Sequence, residues 1–282
     1  MTKKPFRCIS HEIFLLMDPV EFIQQIDFLP NIKRRENILI QLKHMGVSYQ
    51  LHQIEKDRFN IIVDLGAGSK RLAFSSHYDI VEGAGGANDN GSGVAVCLEI
   101  IRQFVENKLN SAIRIIFFDM EEEGMIGSFS YVFDFVVDDI SGLINLDLVG
   151  TGNNLAIWPV NPDEKNFLIK KIEASALANN IKYTRLEHFI TDIADHIPFQ
   201  AIELVPAYTL SMLTDEDLEA LTRYNATDSI EVKTNYKSYF ENYLVLGNYH
   251  KVTDDWTRID EGTIQVISKT LFELIDNLSA FD

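Results

Sequence analysis

The sequence predicts an α/β fold, a single domain with a central, mostly parallel mixed sheet flanked by helices on both faces. Short apolar runs rich in β-branched and aromatic residues, which are typical of buried strands, alternate with longer segments of helical periodicity. Strands and helices in alternation build parallel sheets that are covered on both faces. The 282 residues would also accommodate two small domains, but no linker rich in proline, glycine or serine divides them. We therefore expect one domain over 1–282.

The expected helices and strands can be placed along the chain. Helical periodicity marks residues 19–46, with a break at Leu29 because Pro30 disfavours helix in the residue before it. Further helices are expected over 94–105, 163–179 and 261–279. Strands are expected near 47–54, 59–65, 71–77, 112–118, 142–149, 155–158 and 203–210. Residues 83–93 form a Gly-rich loop, and Thr214 is expected to cap a helix whose first turn is acidic.

Composition narrows the classes of partner. The hydrophobic fraction of 46% is ample for a buried core, so the chain is expected to fold rather than stay disordered. Asp and Glu number 42 against 25 Lys and Arg, which gives a net charge of −17. Such a surface repels phosphate backbones and anionic lipid, so neither nucleic acid nor a membrane is an expected partner.

The cysteines and the N-terminal residues give no sign of secretion. Cys8 and Cys97 cannot form a disulfide framework, and no CxxC pair indicates a cysteine-bound zinc. Cys97 lies in an apolar helical run and is expected to be a small core residue. No clear signal peptide follows the basic N-terminus, and no apolar run is long enough to span a bilayer, so we expect a cytoplasmic protein.

Acidic and histidine residues collect where the predicted strands end. His77 and Asp79 close one strand, Asp119–Glu123 follow a second, and Asp147 is expected inside a third. An ionised carboxylate in an apolar strand is costly unless it is paired or binds a metal. Ligands of open α/β sheets bind in the crevice beyond the carboxyl ends of the strands. The sequence therefore predicts a site at this edge.

These residues, with Asp89 of the Gly-rich loop and His250, form a candidate metal site. Imidazole and carboxylate ligands without thiolates suit zinc, while manganese or cobalt also fit. Asp79 is expected to accept the other ring N–H of His77 and so fix the orientation of the ring. One of the consecutive glutamates 121–123 can accept a proton from an attacking water while its neighbour binds metal. Taken alone, the same glutamates also fit a solvated acidic turn.

Six motifs resemble the family of co-catalytic zinc aminopeptidases, which includes bacterial leucyl aminopeptidases and has glutaminyl cyclases among its relatives. They occur in the family's order and cover roughly residues 70 to 260. The motifs are Ser76–Asp79, Gly86–Gly93, Met120–Ser128, Ile144–Gly150, Asp195–Phe199 and Tyr249–His250.

The resemblance implies a role for each matched residue. The implied metal ligands are His77, Asp89, Glu122, Asp147 and His250. Asp89 matches the carboxylate that bridges two ions, so two zinc ions per chain are expected, with one as the alternative. Glu121 matches the general base and Asp79 the acid that supports the histidine. Asp195 and His196 match a motif that lines the site, although His196 also fits a core histidine.

The implied activity is that of a metallo-aminopeptidase, which removes N-terminal residues from peptides with metal-activated water and Glu121 as general base. Its expected partner is a peptide with a free N-terminus.

Two departures from the family pattern stand out. Asp89 follows Asp79 by only ten positions, and 211–248 is longer than expected. We therefore expect an insertion at about 211–248 that shapes the substrate pocket or is a surface excursion.

Two other functions remain open. A glutaminyl-cyclase-like acyltransferase with one zinc shares most of these positions, and the Asp195–Phe199 motif suits it well. Such cyclases typically carry Trp immediately before the last histidine and an Ala-Thr-Asp-Ser loop, where this chain has Tyr249 and 87–90 (Ala-Asn-Asp-Asn). A catalytically inactive binding protein should lack a ligand or the base, and none is missing here.

Overall fold

The structure is a computed structural model that describes residues 17–135, 137–202 and 205–277. Its strands are β1 Gln50–Glu55, β2 Arg58–Leu65, β3 Arg71–His77, β4 Ile113–Phe118, β5 Ile140–Leu146, β6 Asn154–Trp158, β7 Lys182–Arg185 and β8 Ala207–Leu213. Its helices are α1 Pro19–Ile26, α2 Asn31–His44, α3 Gly93–Asn107, α4 Ile126–Asp134, α5 Phe167–Ala178, α6 Ile197–Ala201, α7 Asp215–Ala226, α8 Ile230–Thr234, α9 Tyr236–Tyr239 and α10 Glu261–Asp276. Two short helical turns, Ala87–Ser92 and Trp256–Arg258, complete the helical structure of these residues.

The eight described strands form one mixed sheet in the order β1-β2-β4-β3-β5-β8-β6-β7. The central strands β4, β3, β5 and β8 run parallel to one another. Antiparallel pairing occurs between β1 and β2, between β2 and β4, and between β6 and β8, while β7 pairs parallel with β6. Four of the seven pairings are thus parallel, and the predicted mostly parallel mixed sheet is confirmed.

Alternating side chains of each central strand pack on opposite faces of the sheet. In β3, Leu72 and Phe74 join the larger apolar cluster, which includes residues of α1, α2, α3, α5 and α10. Ala73 between them joins a smaller cluster with residues of α4 and α6. The period of two follows from strand geometry, and full burial of a side chain such as Phe74 contributes about 1.5–3 kcal/mol. Helices therefore cover both faces, as the sequence predicts.

Several local predictions are confirmed. Helices α1 and α2 are separated at Leu29 and Pro30, and the Thr214 hydroxyl accepts a hydrogen bond from the Asp217 amide at 3.0 Å as the N-cap of α7. Cys97 is fully buried in α3, whereas Cys8 lies outside the described residues.

In the part of the chain that the structure describes, no helix is both long and apolar enough to cross a bilayer.

Three strand predictions are wrong in detail. Strand β5 ends at Leu146, so Asp147 lies just beyond the strand and not inside it. Strand β8 runs from Ala207 to Leu213, later than the predicted 203–210, whose first two residues lie outside the described ranges. Its last residues are also the first residues of the insertion expected at 211–248. Strand β7 was not predicted, because its four partly exposed residues carry no apolar pattern.

Candidate metal centre

The candidate ligands meet at the carboxyl ends of three adjacent strands. His77 ends β3, Asp147 follows β5, and Glu122 lies four residues beyond the end of β4. Because these strands are parallel neighbours, their carboxyl ends lie at the same edge of the sheet. Asp89 reaches the edge from the helical turn before α3, and His250 from the loop between α9 and α10. The structure thus brings together all five residues that the sequence indicated.

The five side chains form two groups that share one carboxylate. In the first, Nε2 of His77 lies 3.3 Å from Oδ1 of Asp89 and 3.9 Å from Oδ1 of Asp147. In the second, Nε2 of His250 lies 3.3 Å from Oδ2 of Asp89 and 3.0 Å from Oε2 of Glu122. Each oxygen of Asp89 therefore faces a different group. Ligands at about 2.0–2.1 Å from a tetrahedral zinc lie roughly 3.3 Å apart, which is close to these separations.

The two asparagines that flank Asp89 fix its loop to the end of β5. Asn88 accepts a hydrogen bond through Oδ1 from the Gly150 amide at 2.7 Å. Asn90 donates through Nδ2 to the Leu146 carbonyl, also at 2.7 Å. Both asparagines are buried, so water does not compete for these two hydrogen bonds. These bonds hold the shared carboxylate and the carboxylate that follows β5 at a fixed separation.

Asp79 connects His77 with the glutamate turn. Its two carboxylate oxygens accept the backbone N–H groups of Glu121 and Glu122, each at 3.1 Å. The hydrogen bond of His77 Nδ1 goes to the Asp79 backbone carbonyl at 3.2 Å, while the carboxylate lies at 3.5 Å. The ring N–H thus lies near both acceptors of Asp79, with the backbone carbonyl the nearer one, and the support of His77 by the Asp79 carboxylate stays a prediction. A carbonyl can only accept, so Nδ1 donates to it and Nε2 is the ring nitrogen that faces Asp89.

Asp119 fixes the start of the turn that carries the three glutamates. Its carboxylate accepts hydrogen bonds from the Tyr78 hydroxyl at 2.7 Å and from the guanidinium of Arg58 at 2.9 and 3.0 Å. Arg58 also pairs with Glu123 at 2.9 Å, and the Glu123 side chain is about half exposed at 51%. Of the three consecutive glutamates, Glu123 is thus the one that lies at the surface.

The site is rich in negative charge and short of counter-charge. Burial is the main cause that raises the pKa of Glu122 to about 9 and that of Asp147 to about 7 and holds the pKa of Glu121 well above its usual value; neighbouring acids add to the effect, and the charge of His77 opposes it. Burial would also raise the pKa of Asp89, but hydrogen bonding to His77 and the nearby charges of His77 and His250 lower it. Divalent cations at this place would supply the positive charge that the carboxylates lack.

Unpartnered oxygens show that the residues fit a bound metal. Oε1 of Glu122 and Oδ1 of Asp147 are buried and have no hydrogen-bond partner among the described residues. A buried carboxylate oxygen without a partner is costly, and metal coordination is one way to offset that cost. The donors are imidazole nitrogens and carboxylate oxygens, the set that zinc accepts without thiolates.

Asp195 and His196 have different surroundings although they are adjacent. Asp195 is fully buried, neither of its oxygens has a hydrogen-bond partner of normal geometry within the described ranges, and burial raises its pKa to about 7. His196 bonds through Nδ1 to the Thr209 hydroxyl at 2.7 Å and meets the Trp158 ring edge to face. Burial lowers the pKa of His196 to about 3. His196 is therefore a neutral core histidine, and Asp195 is the polar residue that faces the acidic centre.

Two supporting features of the centre were not predicted. The ring of Tyr249 stacks on that of His250, with centroids 3.7 Å apart, and His250 itself has a positive φ of 58°. Asp254 accepts the backbone N–H groups of Asn88 and Asp89, each at 2.9 Å. In the sequence, Asp254 is merely an acid four positions after the candidate ligand His250. That position does not reveal that its partner Asp89 lies 165 residues away.

The fold is that of zinc exopeptidases, and the chain belongs to peptidase family M28, whose model matches residues 60–275. Aminopeptidase YwaD of Bacillus subtilis is 33% identical over 130 residues, a stretch that covers 44% of this chain and 28% of that protein. BSAP, a zinc aminopeptidase from Bacillus subtilis, matches with a TM-score of 0.60 and 22% identity, covering 78% of this chain and 50% of that chain. The glutaminyl cyclase of Porphyromonas gingivalis matches with a TM-score of 0.69 and 20% identity, covering 94% and 99%.

These matches differ in what they show. At about 20% identity, the two structural matches establish a shared fold. The chain spans less than a third of the length of the curated relatives it matches. Membership of the family is therefore established over most of the chain, whereas the reaction depends on the chemistry of the site.

Zinc is expected to stabilise the folded protein. A metal that binds only the native state adds about 2.7 kcal/mol to the free energy of unfolding when free metal exceeds Kd 100-fold. For a chain of this size, such a gain raises Tm by several degrees. Calorimetry of protein stripped with chelator and then reloaded with zinc measures the shift, with magnesium as the control ion. Equal Tm values with and without zinc would contradict a zinc site.

Proposed function

We propose that the protein is a zinc-dependent aminopeptidase that removes single residues from the N-terminus of peptides. The observation that carries the proposal is the carboxylate of Asp89, shared between a group with His77 and Asp147 and a group with His250 and Glu122. Two donor groups joined by one carboxylate suit a pair of cations. We propose that Asp89 bridges them.

The chain's own residues supply the remaining chemistry. Zinc, when bound, would polarise the scissile carbonyl and lower the pKa of the attacking water. Glu121 would take the proton of that water on its carboxylate and pass a proton to the nitrogen of the leaving amine. Burial raises the pKa of Glu121 well above its usual value, which brings the base closer to the operating pH. Asp79 would hold Glu121 and Glu122 in place through their backbone amides.

The acidic surroundings favour a substrate that carries a free α-amino group. A site with the acidic ligands Asp89, Glu122 and Asp147 would favour an ammonium or a metal-bound amine near the scissile bond. A surface groove of about 650 Å³ reaches Glu122, and its walls include Phe28, Ile80 and Glu82. Of the five candidate ligands only Glu122 lines this groove, so the groove is a candidate path for a peptide toward the centre.

Peptides with free and blocked N-termini should separate this function from others. The protein is expected to release the first residue of a Leu-initiated peptide and to leave the N-acetylated form of the same peptide intact, because acetylation removes the ammonium and adds bulk. Mass spectrometry of both peptides after incubation measures the result. Cleavage of the acetylated peptide at a similar rate would contradict an aminopeptidase that requires a free N-terminus.

A glutaminyl-cyclase-like acyltransferase with one zinc is the second candidate. The observation that favours it concerns Asp195. Both oxygens of its buried carboxylate lack a hydrogen-bond partner of normal geometry among the described residues. The same carboxylate contributes to the raised pKa of Glu121. The Asp195–Phe199 motif points the same way. A Gln-initiated peptide in the same assay distinguishes the two reactions. Loss of a whole residue supports the aminopeptidase, and loss of ammonia alone with the peptide bond intact would overturn it.

A further inference from the structure

Arg34 is a fully buried arginine next to the loop that carries Asp89. It lies on α2, before residue 60, where the match to the family begins. Its guanidinium donates to the Gly86 carbonyl at 2.9 Å and to the Ile26 carbonyl at 3.3 Å. A buried guanidinium is costly unless it is hydrogen-bonded and balanced by opposite charge. The folded protein therefore keeps a buried positive charge beside the candidate metal centre.

Four carboxylates supply the balancing charge. Burial lowers the pKa of Arg34 to about 10, and the carboxylates around it oppose that effect, with Asp254 as the largest contributor and with Asp79, Asp27 and Asp89 after it. Asp254 is itself 3% exposed. Two of the remaining three carboxylates, those of Asp79 and Asp89, belong to the candidate centre. Arg34 is therefore part of the same network of charge.

Arg34 and Asp254 hold the Asp89 loop from two sides. The Gly86 carbonyl accepts both from Arg34 and from the Gly91 amide at 3.0 Å, which closes the turn around Asp89. Asp254 accepts the amides at the centre of the turn with its two carboxylate oxygens. At Gly86, φ is +78°, and an added Cβ would lie 3.0 Å from Nη1 of Arg34. The guanidinium thus packs directly on the loop backbone.

We propose that Arg34 is a positioning residue that, together with Asp254, holds the Asp89 loop in its metal-binding conformation before metal arrives. This proposal rests on the proposed function, in which Asp89 is a metal ligand. A preformed loop loses little conformational entropy when metal binds, so the affinity is higher. Residues that orient metal ligands typically contribute about 10–100-fold to metal affinity. The simple Coulomb effect has the opposite sign, because removing a nearby positive charge should strengthen the binding of a cation.

The test compares Arg34→Met and Arg34→Lys with Arg35→Met. Arg35 lies on the same helix and also donates at 2.6 Å to a backbone carbonyl, that of Asp57, which lies outside the Asp89 loop. Zinc affinity is measured by competition with a chromogenic chelator. Backbone hydrogen exchange of residues 86–91 is measured by mass spectrometry on zinc-free protein. Neither measurement depends on peptidase activity.

Arg34→Met is expected to lower zinc affinity by about 10–100-fold and to speed exchange of the loop amides. Arg34→Lys, which keeps the charge but loses the fork of donors, is expected to fall between wild type and Arg34→Met. Arg35→Met should match wild type in both measurements. Unchanged or higher zinc affinity in folded Arg34→Met would overturn the proposal.

Two further outcomes are also decisive. If Arg34→Met does not fold, Arg34→Lys becomes the deciding variant, since wild-type affinity and exchange in that variant would overturn a positioning role. If wild-type protein itself binds no zinc, the proposed function fails. Zinc binding that is equal in wild type and Arg34→Met contradicts this inference alone.

Discussion

Replacing Glu121 with glutamine is expected to lower kcat by about 10²–10⁴-fold, the usual contribution of general-base catalysis, while zinc content stays at the wild-type level. Glutamine has nearly the same shape as glutamate but cannot accept the proton of the attacking water. The backbone bond from the Glu121 amide to Asp79 does not involve the altered side chain, so the turn should keep its conformation. Steady-state kinetics together with elemental analysis of the purified variant measure both effects.

Glu122→Gln is the matched control, since it makes the same change one residue away. Glu122 lies 3.0 Å from His250 in the second donor group, so this variant should lose zinc. The two glutamates are hard to separate by position alone, because Glu121 also lies with His77 and Glu122 in a third set of possible donors. If Glu121→Gln lost metal and Glu122→Gln kept it, the assignment of base and ligand would be reversed.

Part of the centre could be located from the sequence because three of its residues lie at or near ends of predicted strands, whereas Asp89 and His250 lie in loops and were assigned as ligands by the resemblance of their motifs. Parallel strands place their carboxyl ends at one edge, so His77 and the acids after β4 had to come close once β3 and β4 were recognised. The predicted strand runs to residue 149 but β5 ends at Leu146, so this boundary is wrong by three residues and Asp147 lies one residue beyond the strand. Such an error leaves the residue at the same edge.

The contacts that orient these residues could not be predicted in the same way. The carboxylate of Asp79 binds two backbone amides of the glutamate turn, and backbone amides carry no signal in the sequence. Arg34 lies 52 residues from its partner Gly86 in the sequence. Asp254 lies 165 residues from its partner Asp89. Their roles depend on how α2 and the loop before α10 pack against the sheet, and local periodicity does not determine that packing.

Asp89→Asn is expected to remove both metals, whereas Asp147→Asn should remove one. The reason is the geometry of the shared carboxylate: each oxygen of Asp89 faces a different histidine, at 3.3 Å in both cases. Asp147 lies only in the group with His77, so the group of His250 and Glu122 should still hold an ion. Both changes replace a carboxylate oxygen with an amide, which makes the two variants directly comparable.

Elemental analysis of protein purified without chelator should give about two divalent ions per chain for wild type, as expected of a two-metal site. The same measurement should give about one for Asp147→Asn and almost none for Asp89→Asn. Zinc titration of the stripped proteins checks that the losses reflect affinity rather than incomplete loading. A metal-replete structure of wild type with a single ion and with Asp147 turned away would contradict the two-metal site. Because one zinc is the number expected of the cyclase, that result would also make the acyltransferase the better-supported function.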